Sequence, residues 1–390
     1  MANRSLAAAK AAKQDEFYTQ WADIEREMNA YLEYDPDVFR DKVVLLPCDD
    51  PEWSNFSKFF ALHFTEYGLK KLISTSYAPE SNADGAFYKP TLFDDPNFDE
   101  AKDAVRGKIF VLGREDVNGD GQVDIDDLRW DYLEGDGDFR SAELKALRDE
   151  ADVVVTNPPF SLFRAFVDWL VEGNVRFSVI GNVNAITYPQ VFKLIQANLL
   201  WKGATANNTD MVFRVPEGID VREGDRDKAE RLGYPSTETE QFTRLGNACW
   251  FTNIDHGRRH EPMPLLSMAD NLRFNKKIAD MGYPEYDNFE AIEVSSTMGI
   301  PSDYPGVMGV PITFLDKFNP EQFEIVGMSR FTRTTGMRKK FVDDYYASGQ
   351  TGQIHEGHPD VGYYDKDGRP VVPYRRIFIR HLNPESKDES

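Results

Sequence analysis

Between residues 20 and 34, Trp21, Ile24, Met28 and Tyr31 recur on one helical face and Asp35-Pro36 ends the run, so the spacing predicts a helix. A short apolar run at 42–46 (KVVLL) predicts a strand, broken by Pro47-Cys48-Asp49-Asp50-Pro51. The amphipathic stretch 54–67 predicts a second helix, stopped by Gly68, and 72–76 (LISTS) predicts a second strand. Strand, turn, helix and strand in that order form the repeating unit of a parallel sheet.

From 79 to 135 the periodicity gives way to Gly, Pro, Asn and Asp, which predicts an insertion on the edge or rim of the sheet. The alternation resumes at 151–156 (ADVVVT), a strand of the fully buried kind that runs into Asn157-Pro158-Pro159-Phe160. A helix at 161–172, a strand at 175–180 and a helix at 190–198 follow. Short strands such as MVFRV and ACWFTN between 208 and 255 suit the terminal hairpin of a doubly wound enzyme. From about Pro262 Pro and Gly become frequent, which predicts a second, irregular α+β region.

Composition narrows the class. With 41% hydrophobic and 28% charged positions, the 390 residues hold enough apolar material for a sizeable core, which excludes disorder, collagen and coiled coil for the whole chain. No stretch approaches the roughly 18 to 20 apolar residues of a membrane span, and the N-terminal residues lack the apolar core of a signal peptide. A soluble, cytoplasmic protein without a membrane partner is expected. Cys48 and Cys249 are too few for a disulfide framework or a four-ligand zinc site.

The net charge of -21 argues against a polyanionic partner, because phosphate contacts rely on Lys and Arg. Its distribution weakens the objection. Residues 84–150 carry 19 acidic and 9 basic side chains, whereas 314–390 carry 12 of each. Within that neutral tail, 328–342 (MSRFTRTTGMRKKFV) holds Arg330, Arg333, Arg338, Lys339 and Lys340 with no acid. These five are candidate DNA contacts; the alternative is that they balance the acidic insertion.

Asn157-Pro158-Pro159-Phe160 directly after a strand is the sharpest chemical signal. Two prolines fix the backbone and bring no amide donors to compete for the carbonyls. The Asn157 oxygen and the Pro158 carbonyl can accept both hydrogens of an exocyclic amine, with Phe160 stacked on its ring. The plainer alternative is a rigid strand-to-helix turn. A separate motif begins at Asp116. Asp116, Asn118, Asp120, Gln122, Asp124 and Asp127 occupy positions 1, 3, 5, 7, 9 and 12 of a calcium loop, with Gly121 at 6 and Val123 at 8. A structural Ca2+ site is the expectation, and an Asp-rich surface insertion is the alternative.

With these motifs in order, the sequence resembles the EcoRI-type adenine-specific DNA methyltransferases. The matching stretches include Asp15-Glu16-Phe17-Tyr18-Thr19, Cys48-Asp49-Asp50-Pro51-Glu52-Trp53-Ser54-Asn55-Phe56, Gly135-Asp136-Gly137-Asp138-Phe139-Arg140-Ser141 and Asn157 to Phe160. Others are Gly181-Asn182-Val183-Asn184-Ala185-Ile186-Thr187-Tyr188, Thr243-Arg244-Leu245-Gly246-Asn247 and Gly309-Val310-Pro311-Ile312-Thr313-Phe314. The order is similar to the gamma arrangement of amino-methyltransferases. The resemblance implies S-adenosylmethionine as donor and N6 of an adenine flipped out of double-stranded DNA as acceptor. It implies that Phe17, Tyr18 and Thr19 surround the methionine part of the donor and that Cys48, Asp49 and Asp50 lie at the first strand's carboxyl end. By the same resemblance Asp138 and Phe139 meet the donor's adenine, and Asn157, Pro158, Pro159 and Phe160 hold the target base.

The expected fold is thus an α/β, Rossmann-like methyltransferase sheet at 1–260, carrying the Asp-rich insertion at about 79–135, with an α+β recognition region at 261–390. The expected activity is N6 methylation of adenine in DNA, in a restriction-modification pair with a cognate endonuclease or as an orphan methylase. Methylation of RNA adenine or of a protein glutamine amide is the enzymatic rival, and a calcium-dependent binding module the rival from another class. The oligomeric state is left open.

Overall fold

The computed structural model describes residues 18–50, 54–78, 98–205, 211–215, 221–237 and 240–385. Phe17 and residues 79–97 of the expected insertion lie outside them. The chain divides into two compact units, Met1–Phe192 with Leu200–Gly257, and Lys193–Leu199 with Arg258–Ser390.

The first unit contributes strands β1 (Tyr18–Thr19), β2 (Val43–Leu46), β3 (Lys71–Ser76), β4 (Lys108–Leu112), β5 (Arg129–Tyr132) and β6 (Val153–Thr156). Strands β7 (Arg176–Asn182), β8 (Trp201–Lys202), β9 (Met211–Val215), β10 (Gln241–Leu245) and β11 (Ala248–Thr252) complete it. Eight of them form one mixed sheet in the order β5-β4-β3-β2-β6-β7-β11-β8. Its centre is parallel, with β2 pairing β3 and β6, and β6 pairing β7. Every residue of β2 and β6 is buried, which is why both read as unbroken apolar runs: a parallel strand is covered on both faces. Helices Trp21–Tyr34, Asn55–Leu62 and Phe163–Glu172 supply apolar faces to that core.

The insertion joins the sheet beside β3: β4 and β5 add to that edge as antiparallel strands. The helix Ala142–Glu150 was hidden from periodicity because its apolar residues are few, and its start is fixed by Ser141, which accepts from the Leu144 amide. The expected helix at 54–67 is shorter, Asn55–Leu62, and continues as turns to Gly68, whose φ of 65° suits glycine. A second small sheet, β1-β9-β10, carries Tyr18 and Thr19. No helix among the described residues is long and apolar enough to cross a membrane.

One buried charge holds helix Trp21–Tyr34 to the chain that follows β8. Glu27 is fully buried; its Oε1 accepts from the Tyr31 hydroxyl at 2.7 Å and the Ala204 amide at 2.8 Å, and Oε2 accepts from the Thr205 amide at 2.8 Å. The Tyr31 oxygen is also 2.9 Å from Ser178 Oγ on β7. Burial, then the Glu27 charge, pushes the Tyr31 phenol well above its ordinary pKa, so it stays a donor. Gly203 is required beside them, since a Cβ there would meet Glu27 Oε1 at 2.1 Å.

The second unit holds β12 (Ile292–Glu293), β13 (Met308–Pro311), β14 (Phe323–Met328), β15 (Tyr363–Tyr364), β16 (Pro370–Val371) and β17 (Arg376–His381). Four of them form a sheet in the order β12-β13-β17-β14, and β15 pairs with β16. Glu293, 1% exposed, is gripped by Arg376 through Nε at 3.0 and 3.1 Å and through Nη2 at 2.7 Å, and the Tyr286 hydroxyl also donates to it. This bidentate pair ties β12 to β17 across β13.

Replacing Glu27 with Ala leaves two amides and a phenol buried without their acceptor. Urea unfolding of that variant is expected to show a loss of about 3 kcal/mol, and a loss below roughly 1 kcal/mol would contradict the role given to Glu27.

Candidate active site

The carboxyl ends of the four parallel strands form the edge at which open α/β sheets bind ligands. At the end of β2, Cys48 adopts φ 68°, a conformation glycine takes freely and other residues hold at about 1 kcal/mol or more. The next residue explains how the turn is held. Asp49 Oδ1 accepts from Ser54 Oγ at 2.6 Å, its Oδ2 lies 2.6 Å from Thr156 Oγ1 on β6, and its carbonyl accepts from Ser57 Oγ at 2.7 Å and from Ser74 Oγ on β3. Asp49 therefore fastens three neighbouring strand ends and the start of helix Asn55–Leu62. The N-cap of that helix is Ser54, which accepts from the Phe56 amide.

Thr156 is the last residue of β6, and Asn157-Pro158-Pro159-Phe160 follows. The Thr156 hydroxyl also lies 2.8 Å from the Pro47 carbonyl, so both ends of the β2 turn fix the residue before Asn157. Pro158 and Pro159 are buried, Asn157 and Phe160 are half-buried, and the Asn157 Oδ1 is shielded from solvent. A 3-10 turn, Phe160–Leu162, leads directly into helix Phe163–Glu172. The rigid turn that the sequence offers as the plainer alternative is present: two buried prolines carry the chain from β6 into the 3-10 turn, and Asn157 stands at the carboxyl end of the strand.

At the end of β3 stands Tyr77, which sequence reasoning did not single out. The loop at 135–138 packs on this strand end, with Gly137 at φ 87° and so close that a Cβ would meet the Ser76 carbonyl at 2.5 Å. Glu143 Oε1 accepts from the Glu134 amide at 3.0 Å, which holds the loop to helix Ala142–Glu150. Burial pushes the Tyr77 phenol well above its ordinary pKa, and the charges at Cys48, Asp138 and Asp136 add to the push. Tyr77 donates to Asp138. Burial works to raise the Asp138 carboxyl, but the Arg140 side chain, the Arg140 amide and Tyr77 outweigh it and leave the group below its ordinary value. The second strand ends without an acid of its own, and the loop delivers one.

Tyr18 and Thr19 arrive by strand pairing. Tyr18 faces Arg214 across β1 and β9, with the guanidinium 5.0 Å from its ring centre. Asn55 Nδ2 donates to the Thr19 carbonyl at 2.7 Å, which sets β1 beside the Asp49 turn. Thr19 Oγ1 is buried and bonds to no described residue. Asn55 lies inside a motif that the sequence offers, yet its role depends on a contact 36 residues away that no local pattern announces.

Two expected contacts have other partners in the fold. Phe139 is 1% exposed and packs against Phe166 and Trp169 at 5.0 and 5.8 Å, so its ring belongs to the core beside the 135–138 loop. The calcium loop is not supported. Among the described residues no group of three His, Cys, Asp or Glu side chains could hold a metal ion. The acidic spacing serves the backbone: Asp116 accepts from the Gly119 and Gly121 amides, Asn118 from Asp120, Asp120 from Gln122 and Asp124 from Asp126. Asp127 closes the loop by accepting from Val117, Asn118 and Asp124 at 2.7 to 3.1 Å. A chain of Asx turns produces the same periodicity as a calcium loop.

In the second unit Arg330, Arg333, Arg338, Lys339 and Lys340 are all exposed. Arg338 forms a fork with Asp287, and Lys340 pairs with Asp344 one helical turn on. Asp287 and Asp344 lie in the same unit as Arg338 and Lys340.

A family model described as "Adenine-specific methyltransferase EcoRI" matches residues 5–382. The chain is 42% identical to the type II methyltransferase M.EcoRI of Escherichia coli over 324 residues, 83% of this chain and 89% of the relative. It is 35% identical to the type II methyltransferase M.MpnI of Mycoplasma pneumoniae over 318 residues, covering 82% and 83% of the two chains. A third type II methyltransferase, M.MgeORF184P of Mycoplasma genitalium, is 33% identical over 318 residues, 82% of this chain and 84% of the relative. No solved structure matches.

Because the folded Asp138 carboxyl ionises below its ordinary value of 3.8, it stabilises the fold above that pH, and the contribution is lost as the pH falls through the lowered value. Arg140→Met removes the main opposing influence and leaves burial, so the Asp138 pKa is expected to rise. Carboxyl-carbon NMR titration of parent and variant measures it, and an unchanged midpoint would remove Arg140 from this account.

Proposed function

The chain belongs to the EcoRI family of adenine-specific methyltransferases, and from that premise we propose that its sheet is the Rossmann-like scaffold on which the N6 amine of adenine in double-stranded DNA is methylated. The observation that carries this is the placement of Asn157: a shielded amide oxygen at the carboxyl end of a central parallel strand, held there through Thr156 and Asp49. S-adenosylmethionine, the donor the family implies, supplies an electrophilic methyl group. The residues present fit it. Thr19 offers a buried hydroxyl with no bond to a described residue, Tyr18 an aromatic face, and Asp138 an ionised carboxylate beside Tyr77.

The side chains act by positioning. Asn157 Oδ1 accepts one hydrogen of the target amine and the Pro158 carbonyl the other, which turns the nitrogen lone pair out of the ring plane. Phe160 stacks on the adenine, which must leave the duplex to reach this depth. Alignment and exclusion of water supply the rate, and no residue need act as a strong base. The extra proton leaves the methylated amine for solvent.

We assign residues up to about 260 to catalysis and 261–390 to target recognition, with Arg330, Arg333 and Lys339 as phosphate contacts and Arg338 and Lys340 moderated by their carboxylate partners. The type II relatives support a role in restriction-modification, with an endonuclease of the same specificity as partner. The RNA and protein-glutamine readings are tested beside DNA in a transfer assay with labelled donor. Asn157→Ala is expected to lower transfer to duplex DNA by roughly 100-fold or more while calorimetric donor affinity stays within about two-fold. Activity near the parent's, or transfer to RNA or protein in preference to DNA, would overturn this assignment.

A further inference from the structure

The first unit carries an exposed guanidinium for which neither the scaffold nor the transfer step gives a use. Arg164 is the second residue of helix Phe163–Glu172, which begins three residues after Phe160. Its guanidinium lies 5.0 Å from the ring centre of Tyr188, the residue that caps the 3-10 turn Val183–Thr187 at the end of β7. Arg164 thus bridges the loops that leave two adjacent parallel strands, one of them the loop of Asn157.

Three facts give the contact a direction. Arg164 and the exposed Asp168 stand one turn apart in the less favourable order for an i,i+4 pair, and among the described residues no carboxylate pairs with Arg164. A helical side chain leans toward the helix N-terminus, so Arg164 points to the strand-end edge and away from Asp168. The backbone beneath it is also fixed: the Phe163 ring occupies the space over Gly181 of β7, where a Cβ would meet it at 2.3 Å. An arginine held by an aromatic face keeps its donors available for a second partner, and the first turn of its helix contains no acid. On a chain of net charge -21, such a cation beside the target turn suits an anion brought by the substrate.

We propose that Arg164, steadied by Tyr188, contacts a backbone phosphate of the target strand next to the adenine held by Asn157. The inference rests on the functional reading above and adds to it a DNA contact on the catalytic unit, separate from the basic run of the second unit. A phosphate contact there fixes the strand on either side of the extruded nucleotide without reading its sequence.

The test measures binding of a fluorescein-labelled duplex of mixed sequence to the full chain across a series of sodium chloride concentrations. For Arg164→Gln the slope of log affinity against log salt should flatten by about 0.9, with affinity several-fold weaker, and Arg164→Lys should restore the slope. A slope for Arg164→Gln equal to the parent's, or one that Arg164→Lys fails to restore, overturns the proposal. The methyl-transfer assay separates the two readings. A parent that methylates duplex DNA while Arg164→Gln keeps the full slope sinks only the phosphate contact, whereas a parent inactive on DNA sinks the functional reading.

Discussion

Asp49 is the point on which the candidate site depends. Its carboxylate reaches Ser54 and Thr156 while its carbonyl takes the hydroxyls of Ser57 and Ser74, so one residue joins the ends of β2, β3 and β6 to helix Asn55–Leu62. The two bonds to the carbonyl contribute on the order of 1 kcal/mol each and the two to the carboxylate somewhat more, and together they remove the freedom of the turns at these strand ends. The strained turn at Cys48 persists because the hydroxyls around Asp49 define it on every side. The turn after β2 and the turn after β6 are fixed to each other through this buried polar cluster, at a spacing set by the sheet.

The central strands were legible in the sequence because burial on both faces leaves a run of Val and Leu that no helix of that length would show. The Asn157 turn was legible because two prolines after such a run leave few conformations. Less was visible where function comes from distant pairing. Tyr77 looked like the residue after a strand, and only the folded 135–138 loop turns it into a partner for Asp138. Phe139 sits between two ligand-edge motifs in sequence, yet the helix beneath claims its ring. The acidic loop at 116–127 misled because Asx turns and calcium ligands need the same side chains at the same alternate positions.

The acidic character of the chain takes on a different meaning once the partners are known. Asp287 and Asp344 lie against members of the basic run, and the insertion's carboxylates bind its own amides. These carboxylates serve as internal wiring of loops. Arg164 on helix Phe163–Glu172 is outward too, set on Tyr188.

Glu27 and Gly203 carry a consequence for how such a chain can change over time. The carboxylate and the Trp250 Cβ occupy the volume that any side chain at 203 would need, 2.1 and 2.5 Å from where a Cβ would stand. Drift at 203 is closed while Glu27 is present, and drift at 27 strands the Ala204 and Thr205 amides unless the backbone around 203 also moves. The two positions form an epistatic pair: neither offers a neutral single step, and a route out needs a concerted replacement that re-satisfies both amides and also moves the backbone at 203 away from the Trp250 Cβ.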